Sequence, residues 1–262
     1  MAIQTFIFFD LETTGLPHQE NNRTKITELA FVAVSRSDIE NGVLTELPLT
    51  SKLSILFNPE RPIQPMSSKI TGLTNKCLER QPLFKDKIIC INNFLDLPKP
   101  VCLVAHNGNE FDYKILNAEY NDVNASLPNE LKCIDSLNGF KEILKKHTKN
   151  KNECTSLDLQ DDSNWPALDI TPEEWKEIDE SESFSQLSIT PKKEKSKPSA
   201  PESYKLPVLY KYLTDEEPIG SHRAEADCIM LLKCAIALKN DFLKWADENY
   251  IDINKVKPLS RK

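Results

Sequence analysis

The stretch from Phe6 to Pro17 constrains the fold most, because four apolar residues, three of them aromatic, end there in two carboxylates and a turn. Such a run is typical of a central strand that is buried on both faces. Alternate residues of a strand point the same way, so Asp10 and Glu12 would place two carboxylates on one face at the end of the strand. Two like charges held side by side favour a divalent cation, which prefers oxygen ligands.

The same residues also fit a strand that simply ends in solvent. Thr13 to Pro17 has the composition of an ordinary turn, and a D-x-E pair after an apolar run is a weak motif by itself. Whether the two carboxylates form a metal site therefore depends on partners elsewhere in the chain.

Length and composition limit the class of protein. A chain of 262 residues that is 39% hydrophobic can bury a core in one larger domain with appendages. No segment has the length and apolarity of a membrane span, and the N-terminus lacks the pattern of a secretory signal. Seven scattered cysteines, none in C-x-x-C spacing, argue against a disulfide framework and a zinc site. We expect a soluble protein of the cytoplasm, the nucleus or both, with no membrane partner.

The net charge of −7 is concentrated in one segment. Residues 153–182 hold eleven acids and one lysine, for a net charge of −10, so the remainder of the chain carries +3. Formal charge therefore does not exclude a polyanionic partner such as nucleic acid.

Apolar runs, turn residues and helical periodicity predict five strands with helices between them. The predicted strands are residues 6–9, 26–34, 53–57, 101–105 and 131–135. The predicted helices are residues 67–72, 81–95 with Pro82 in the first turn, 110–119, 136–146, 222–238 and 241–249. The short spacing of the first three strands predicts an antiparallel meander, and the whole pattern predicts an α/β fold.

The predicted elements fall in two parts of the chain, residues 1–147 and 204–250, which are followed by a basic tail at 251–262. Between them, residues 148–203 are polar and rich in acids, Ser, Pro and Lys. Such a composition cannot bury enough apolar surface to offset the entropy of ordering, so we predict a long, largely disordered acidic insertion. Within it, Thr171–Ile178 has capping-box spacing and predicts a short acidic helix.

Two later places could supply partners for the first carboxylates. Asp112 follows a buried strand and lies in the first turn of the next predicted helix, where an acid also suits the helix dipole. His222 precedes Asp227 by five residues, which is about 140° around a helix. Both can face one site only if His222 lies at the frayed start of the helix or in the loop before it.

Together with their surroundings, these five residues resemble the DEDDh group of 3′-to-5′ exonucleases, related to the DnaQ proofreading subunit, and within it the three-prime repair exonuclease family. The resemblance covers roughly residues 3–145 and 203–240. It rests on F-F-D-L-E-T-T-G-L-P at 8–17, I-T-E-L at 26–29, S-K-I-T-G-L-T at 68–74, L-V-A-H-N-G-N-E-F-D at 103–112, C-I-D-S-L at 133–137 and S-H-R-A-E-A-D at 221–227.

The resemblance implies a ribonuclease H-like fold, in which helices flank a mixed five-stranded sheet. It also implies two-metal hydrolysis that releases nucleoside 5′-monophosphates from single-stranded or frayed DNA 3′ ends. Two Mg²⁺ ions per site are expected, with Mn²⁺ as a substitute, because the ligands are oxygens. Asp10, Glu12, Asp112 and Asp227 would be the metal ligands, and His222 would take the proton from the attacking water.

Further residues are assigned to the substrate by the same resemblance. Leu16, Ile70 and Phe111 would pack against the terminal nucleotides, although Leu16 and Ile70 also fit the core, since apolar residues near turns commonly pack inward. Glu12 and Thr13 would lie near the 3′-hydroxyl. We add Asn107 to this substrate-binding set, where it would orient its loop or a phosphate. A homodimer is implied as well, formed through an edge strand near residues 53–57.

The chain departs from the family pattern at three places. Its insertion is long and acidic where family members often carry basic residues that contact DNA, and only Lys192–Lys197 could act in that way here. It also lacks a proline tract between strands two and three, and we expect no long C-terminal tail with a hydrophobic anchor. Two other functions stay open: an RNA 3′-exonuclease that uses the same site, and an inactive scaffold that binds protein partners through the insertion. The five intact catalytic positions argue against the scaffold.

Overall fold

A mixed sheet forms the centre of the structure, a computed structural model that describes residues 2–152, 200–218, 220 and 222–261. The spatial order of its strands is β3-β2-β1-β4-β5-β6. The strands are β1 (Thr5–Thr13), β2 (Ile26–Ser35), β3 (Ser51–Leu56), β4 (Val101–Ala105), β5 (Lys132–Asp135) and β6 (Ile251–Asp252). β1 pairs with β4 and β4 with β5 in parallel, whereas the other neighbours are antiparallel. The predicted meander β1-β2-β3 is confirmed.

Among the described residues the sheet has six strands, one more than the five that were predicted. The sixth, β6, lies in the segment that was predicted to be a basic tail, and it pairs with the edge of β5. A strand of two residues carries no alternation that could reveal it. The chain after β6 is also packed against the domain, since Ile253 and Val256 are buried.

The helices are α1 (Arg36–Asn41), α2 (Pro65–Thr71), α3 (Asn75–Leu78), α4 (Ile88–Phe94), α5 (Asp112–Asp122), α6 (Ser136–Asn152), α7 (Leu206–Thr214) and α8 (Ala224–Asn249). Helix α4 begins after a 3₁₀ turn at Phe84–Lys87, so Pro82 is not in its first turn as predicted. Helix α6 continues into the segment that was predicted to be disordered. The predicted acidic helix at 171–178 and the basic run at 192–197 lie outside the described residues.

Helix α8 includes both helices predicted at 222–238 and 241–249. Lys239 has non-helical backbone angles (φ 40°, ψ −114°), which divide α8 into two segments. The helix begins at Ala224, so His222 lies in the preceding loop, as a shared site with Asp227 requires. Among the described residues, none of the helices has the length and apolarity needed to cross a membrane.

Both faces of the sheet are covered by helices, as the apolar run in β1 predicts. Phe8 stacks on Phe242 of α8 on one face, with ring centroids 6.3 Å apart. Phe9 stacks on Tyr113 of α5 on the other face, at 6.1 Å. Even-numbered residues of β1 therefore point towards α8 and odd-numbered residues towards α5. By this parity, Asp10 and Glu12 face α8, the helix that carries Asp227.

Candidate active site

Three carboxylates meet at the C-terminal end of β1. One oxygen each from Asp10, Glu12 and Asp227 lies within 4.8 Å of the others, and the three side chains are half-buried. Asp10 and Glu12 reach the site from the end of β1, and Asp227 reaches it from the first turn of α8. Carboxylate oxygens at this spacing are ligands that suit a hard divalent cation.

Asp112 lies beside this group but is not one of the three. It is the first residue of α5 and is 3% exposed. Its negative charge raises the pKa of Asp10 and is the largest cause of that shift after burial. The two carboxyl groups are therefore close. The structure therefore brings all four predicted acids to one place, with Asp112 at its margin.

Burial is the main reason why the pKa values of these acids are raised, and mutual repulsion adds to it. The pKa of Asp10 lies well above its ordinary value. The pKa is raised to about 8 for Glu12 and for Asp112, and to about 7 for Asp227. A bound cation would favour the charged carboxylates, so these residues fit a divalent metal by their chemistry as well as by their spacing.

The metal-free chain is expected to lose stability as pH rises from about 4 to about 8. Glu12, Asp112 and Asp227 have raised pKa values, so the folded chain binds more protons than the unfolded chain in this window. The free energy of unfolding therefore decreases with pH for these groups. Thermal unfolding in a chelator, followed across the window, measures the effect, and added Mg²⁺ is expected to reduce it.

The variant Glu12→Gln isolates one of these groups, because glutamine has nearly the same shape and does not titrate. Its melting temperature is expected to fall less steeply with pH than that of the wild type. Equal slopes for the two proteins would contradict the raised pKa of Glu12.

His222 lies at the entrance to the site. Its backbone is in the left-handed region (φ 67°), and its N–H donates a hydrogen bond of 3.0 Å to Oδ2 of Asp227. The ring is exposed to solvent, yet desolvation by the neighbouring protein lowers its pKa from the ordinary value of 6.5. The imidazole is therefore neutral near pH 7 and can accept a proton.

An ion pair next to the carboxylates was not predicted. Glu28 of β2 is 2% exposed and stands directly opposite Glu12 in the sheet. Arg223 donates from Nε and Nη2 to its two oxygens, at 3.0 and 2.8 Å, and the N–H of Ala224 donates to Oε2 at 3.3 Å. The signal in the sequence is that Glu28 is the one charged residue in the mostly apolar run at 26–34, and such a residue requires a partner if it is buried.

The predicted substrate-binding residues come from several elements: Glu12 and Thr13 end β1, Leu16 and Asn107 lie in loops, Ile70 lies in α2 and Phe111 precedes α5. Thr13 is buried, and its Oγ1 donates to the carbonyl of Gly15 at 3.1 Å. The N–H of Asn107 donates to Oδ1 of Asp135 at 3.0 Å. Leu16, Ile70 and Phe111 are half-buried, so each keeps some surface open to solvent. Contact of these residues with a nucleotide stays a prediction.

Gly15 explains how the turn after β1 is held. A Cβ at this position would lie 2.7 Å from Cγ of Gln64 and 3.0 Å from Cδ of Glu20. Glu20 is buried, accepts a hydrogen bond of 2.7 Å from Thr14 and pairs with Arg61 at 3.1 Å. The turn that carries Thr13 and Leu16 is therefore fixed by close packing and by a buried ion pair.

The chain matches the family model RNase_T, described as an exonuclease, over residues 7–169. Three prime repair exonuclease 2 of Mus musculus is 28% identical over 98% of this chain and 92% of its own length. Three-prime repair exonuclease 1 of Bos taurus is also 28% identical, over 98% of this chain and 70% of its own length.

Solved structures show the same fold. E. coli exonuclease I in complex with a dT13 oligonucleotide superposes with a TM-score of 0.58 and 16% identity, over 94% of this chain and 43% of that one. The nuclease domain of 3′hExo, a DEDDh family member bound to rAMP, superposes with a TM-score of 0.56 and 14% identity, over 89% and 90% of the two chains. The expected mixed sheet with flanking helices is thus the fold of known exonucleases.

Proposed function

The chain belongs to the exonuclease family, and from this premise we propose that it removes nucleoside 5′-monophosphates from DNA 3′ ends by metal-dependent hydrolysis. The single observation that carries the proposal is the group of three carboxylate oxygens within 4.8 Å at the end of β1. His222 and Asp112 stand beside this group, so each position of the DEDDh pattern has its residue.

We infer that Mg²⁺ is the metal, with Mn²⁺ able to replace it, because the available ligands are oxygens. Asp10, Glu12 and Asp227 would hold one ion, and Asp112 together with Asp10 would hold a second. Divalent cations supply compensation for charge on the phosphoryl oxygens and a lowered pKa for a water molecule.

His222 supplies the proton acceptor in this proposal. Its lowered pKa leaves the ring unprotonated near pH 7, so a ring nitrogen can take a proton from the attacking water. The water oxygen bonds to the phosphorus of the last phosphodiester, and the bond from phosphorus to the 3′-oxygen breaks. The 3′-oxygen takes a proton from solvent and becomes the new 3′-hydroxyl, while the terminal nucleotide leaves as a 5′-monophosphate and His222 returns its proton to solvent.

Recognition of the strand end is proposed for Leu16, Ile70 and Phe111, whose half-buried side chains leave apolar surface open to solvent. Apolar contact with the faces of bases tolerates any base. Glu12 and Thr13 would lie near the 3′-hydroxyl, and Asn107 would orient its loop or a phosphate. DNA is favoured because both relatives above match nearly the whole chain and are named repair exonucleases. RNA is the second candidate, since one structural neighbour is bound to rAMP.

A homodimer through β3 is part of the proposal. β3 is the outermost strand on its side of the sheet, and its residues are exposed or half-exposed. One edge of this strand therefore presents unpaired backbone groups, which a second copy could pair with.

The proposed function is tested with purified protein, Mg²⁺ and a single DNA strand that carries a label at its 5′ end. We expect a ladder of strands shortened from the 3′ end, 5′-monophosphates as the product, and complete loss of shortening when a chelator removes the metal. A circular single strand serves as the control and is expected to stay intact. Absence of shortening with both Mg²⁺ and Mn²⁺ would refute the proposal, and faster shortening of the matched RNA strand would favour the second candidate.

A further inference from the structure

Arg223 lies between the proton acceptor and helix α8, directly beside the carboxylates. It follows His222 in the chain. Its positive charge lowers the pKa of Glu12, although burial and the neighbouring acids raise that pKa by more. Its side chain is 51% exposed, although the carboxylate that it contacts is 2% exposed. The guanidinium thus has a buried edge and an open one.

Glu28 holds the buried edge. The two hydrogen bonds from Nε and Nη2 form a bidentate pair, which fixes the plane and direction of the guanidinium. The N–H of Ala224 donates to the same carboxylate, so the backbone at the start of α8 is fixed together with the side chain. Because Glu28 stands opposite Glu12, the pair is anchored next to the residues that would hold the metal.

The open edge carries Nη1, which makes no hydrogen bond within the part of the chain that the structure describes. The proposed substrate is a polyanion that must approach five acids, namely Asp10, Glu12, Glu28, Asp112 and Asp227. A fixed guanidinium with free donors at the edge of such a site is suited to a phosphate oxygen, because arginine matches phosphate geometry.

We propose that Arg223 binds a phosphate of the nucleic-acid backbone through the open edge of its guanidinium, while Glu28 holds the opposite edge. This inference rests on the proposed function, because it needs a nucleic-acid strand in the site. The contact reads no base, so it contributes to affinity and to placement of the strand rather than to sequence preference.

The competing role for Arg223 is neutralisation of buried Glu28 alone. In that role the arginine affects stability but not the number of phosphates that the protein contacts. The salt dependence of binding separates the two roles. The slope of the logarithm of the binding constant against the logarithm of the salt concentration changes by roughly 0.7 for each phosphate that the protein neutralises on a single strand.

The experiment measures binding of a fluorescent single DNA strand by anisotropy over a range of KCl concentrations with Mg²⁺ present. Every protein carries Asp10→Asn, so that the strand is not shortened during the measurement. Adding Arg223→Gln is expected to weaken binding about tenfold and to reduce the salt slope by roughly 0.7. Arg223→Lys keeps the charge and is expected to keep the slope while losing part of the affinity.

Arg36→Gln is the matched control. Arg36 also forms an ion pair, with Asp247 at 3.0 Å. It lies far from the carboxylates, because it follows Ser35, which pairs with Thr5 at the start of β1, whereas the site is at the end of β1. It is expected to leave the slope unchanged. An unchanged slope in Arg223→Gln, with lower thermal stability, would overturn the phosphate contact and leave the proposed function intact. Failure of the Arg223-containing protein to bind the strand, together with failure of the unsubstituted protein to shorten it, would overturn both.

Discussion

Replacing Asp10 with asparagine is expected to lower the rate of strand shortening at least about 1000-fold. The substitution keeps the size of the side chain and removes one charged oxygen from the group of three that meet within 4.8 Å. Asp10 is the central ligand of the proposal, because it would contact both metals. The measurement is the initial rate of release of 5′-monophosphates at saturating Mg²⁺.

Loss of folding would not explain this result. Burial and the charges of Asp112, Asp227 and Glu12 raise the pKa of Asp10, so its ionised form is unfavourable in the metal-free folded chain. A neutral side chain relieves that cost, and the metal-free variant is expected to melt at or above the temperature of the wild type near pH 8.

Asp252→Asn is the matched control for the charge that is removed. Asp252 forms an ion pair of 2.5 Å with Lys132 at the far edge of the sheet, in β6. Its loss is expected to leave the rate unchanged. Shortening by Asp10→Asn at a rate within a few-fold of the wild type would refute the placement of the reaction at the end of β1.

The sequence could predict that Asp10 and Glu12 share one face of the sheet, because alternate residues of a strand point the same way. It could not predict that α8 covers this face, since β1 is apolar on both faces and only the contacts of Phe6 and Phe8 with Phe242 show it. The five-residue spacing from His222 to Asp227 required a loop before the helix, and α8 does begin at Ala224.

What the sequence could not predict depends on contacts between distant segments. The pairing of Arg223 with Glu28 joins residues 195 positions apart, and although a buried Glu28 requires a partner, nothing near it in the sequence identifies Arg223. The same holds for the end of the described chain, where Arg261 pairs with Glu119 and Asp122 of α5. Composition alone made this segment look like a free basic tail.

Replacing His222 with alanine is expected to lower the rate of strand shortening by about 100-fold to 10,000-fold, the range that a general base contributes. Binding of the strand is expected to change little, because the ring accepts a proton only during the reaction. The backbone N–H of His222, which donates to Asp227, is kept in the variant. Single-turnover rates with prebound DNA separate the chemical step from binding.

The pH profile distinguishes proton transfer from a structural role of the histidine. Desolvation lowers the pKa of His222 from 6.5, so protonation of this ring is expected to lower the wild-type rate only when the pH drops below that value. The rate of the His222→Ala variant is expected to lose this pH dependence, so that only the titration of the carboxylates still changes the rate with pH. His147→Ala is the control, because His147 is exposed and pairs with Asp241 at 2.7 Å away from the carboxylates. A lowered rate that keeps the wild-type pH profile would assign the proton to another group, since the profile follows whichever base accepts it.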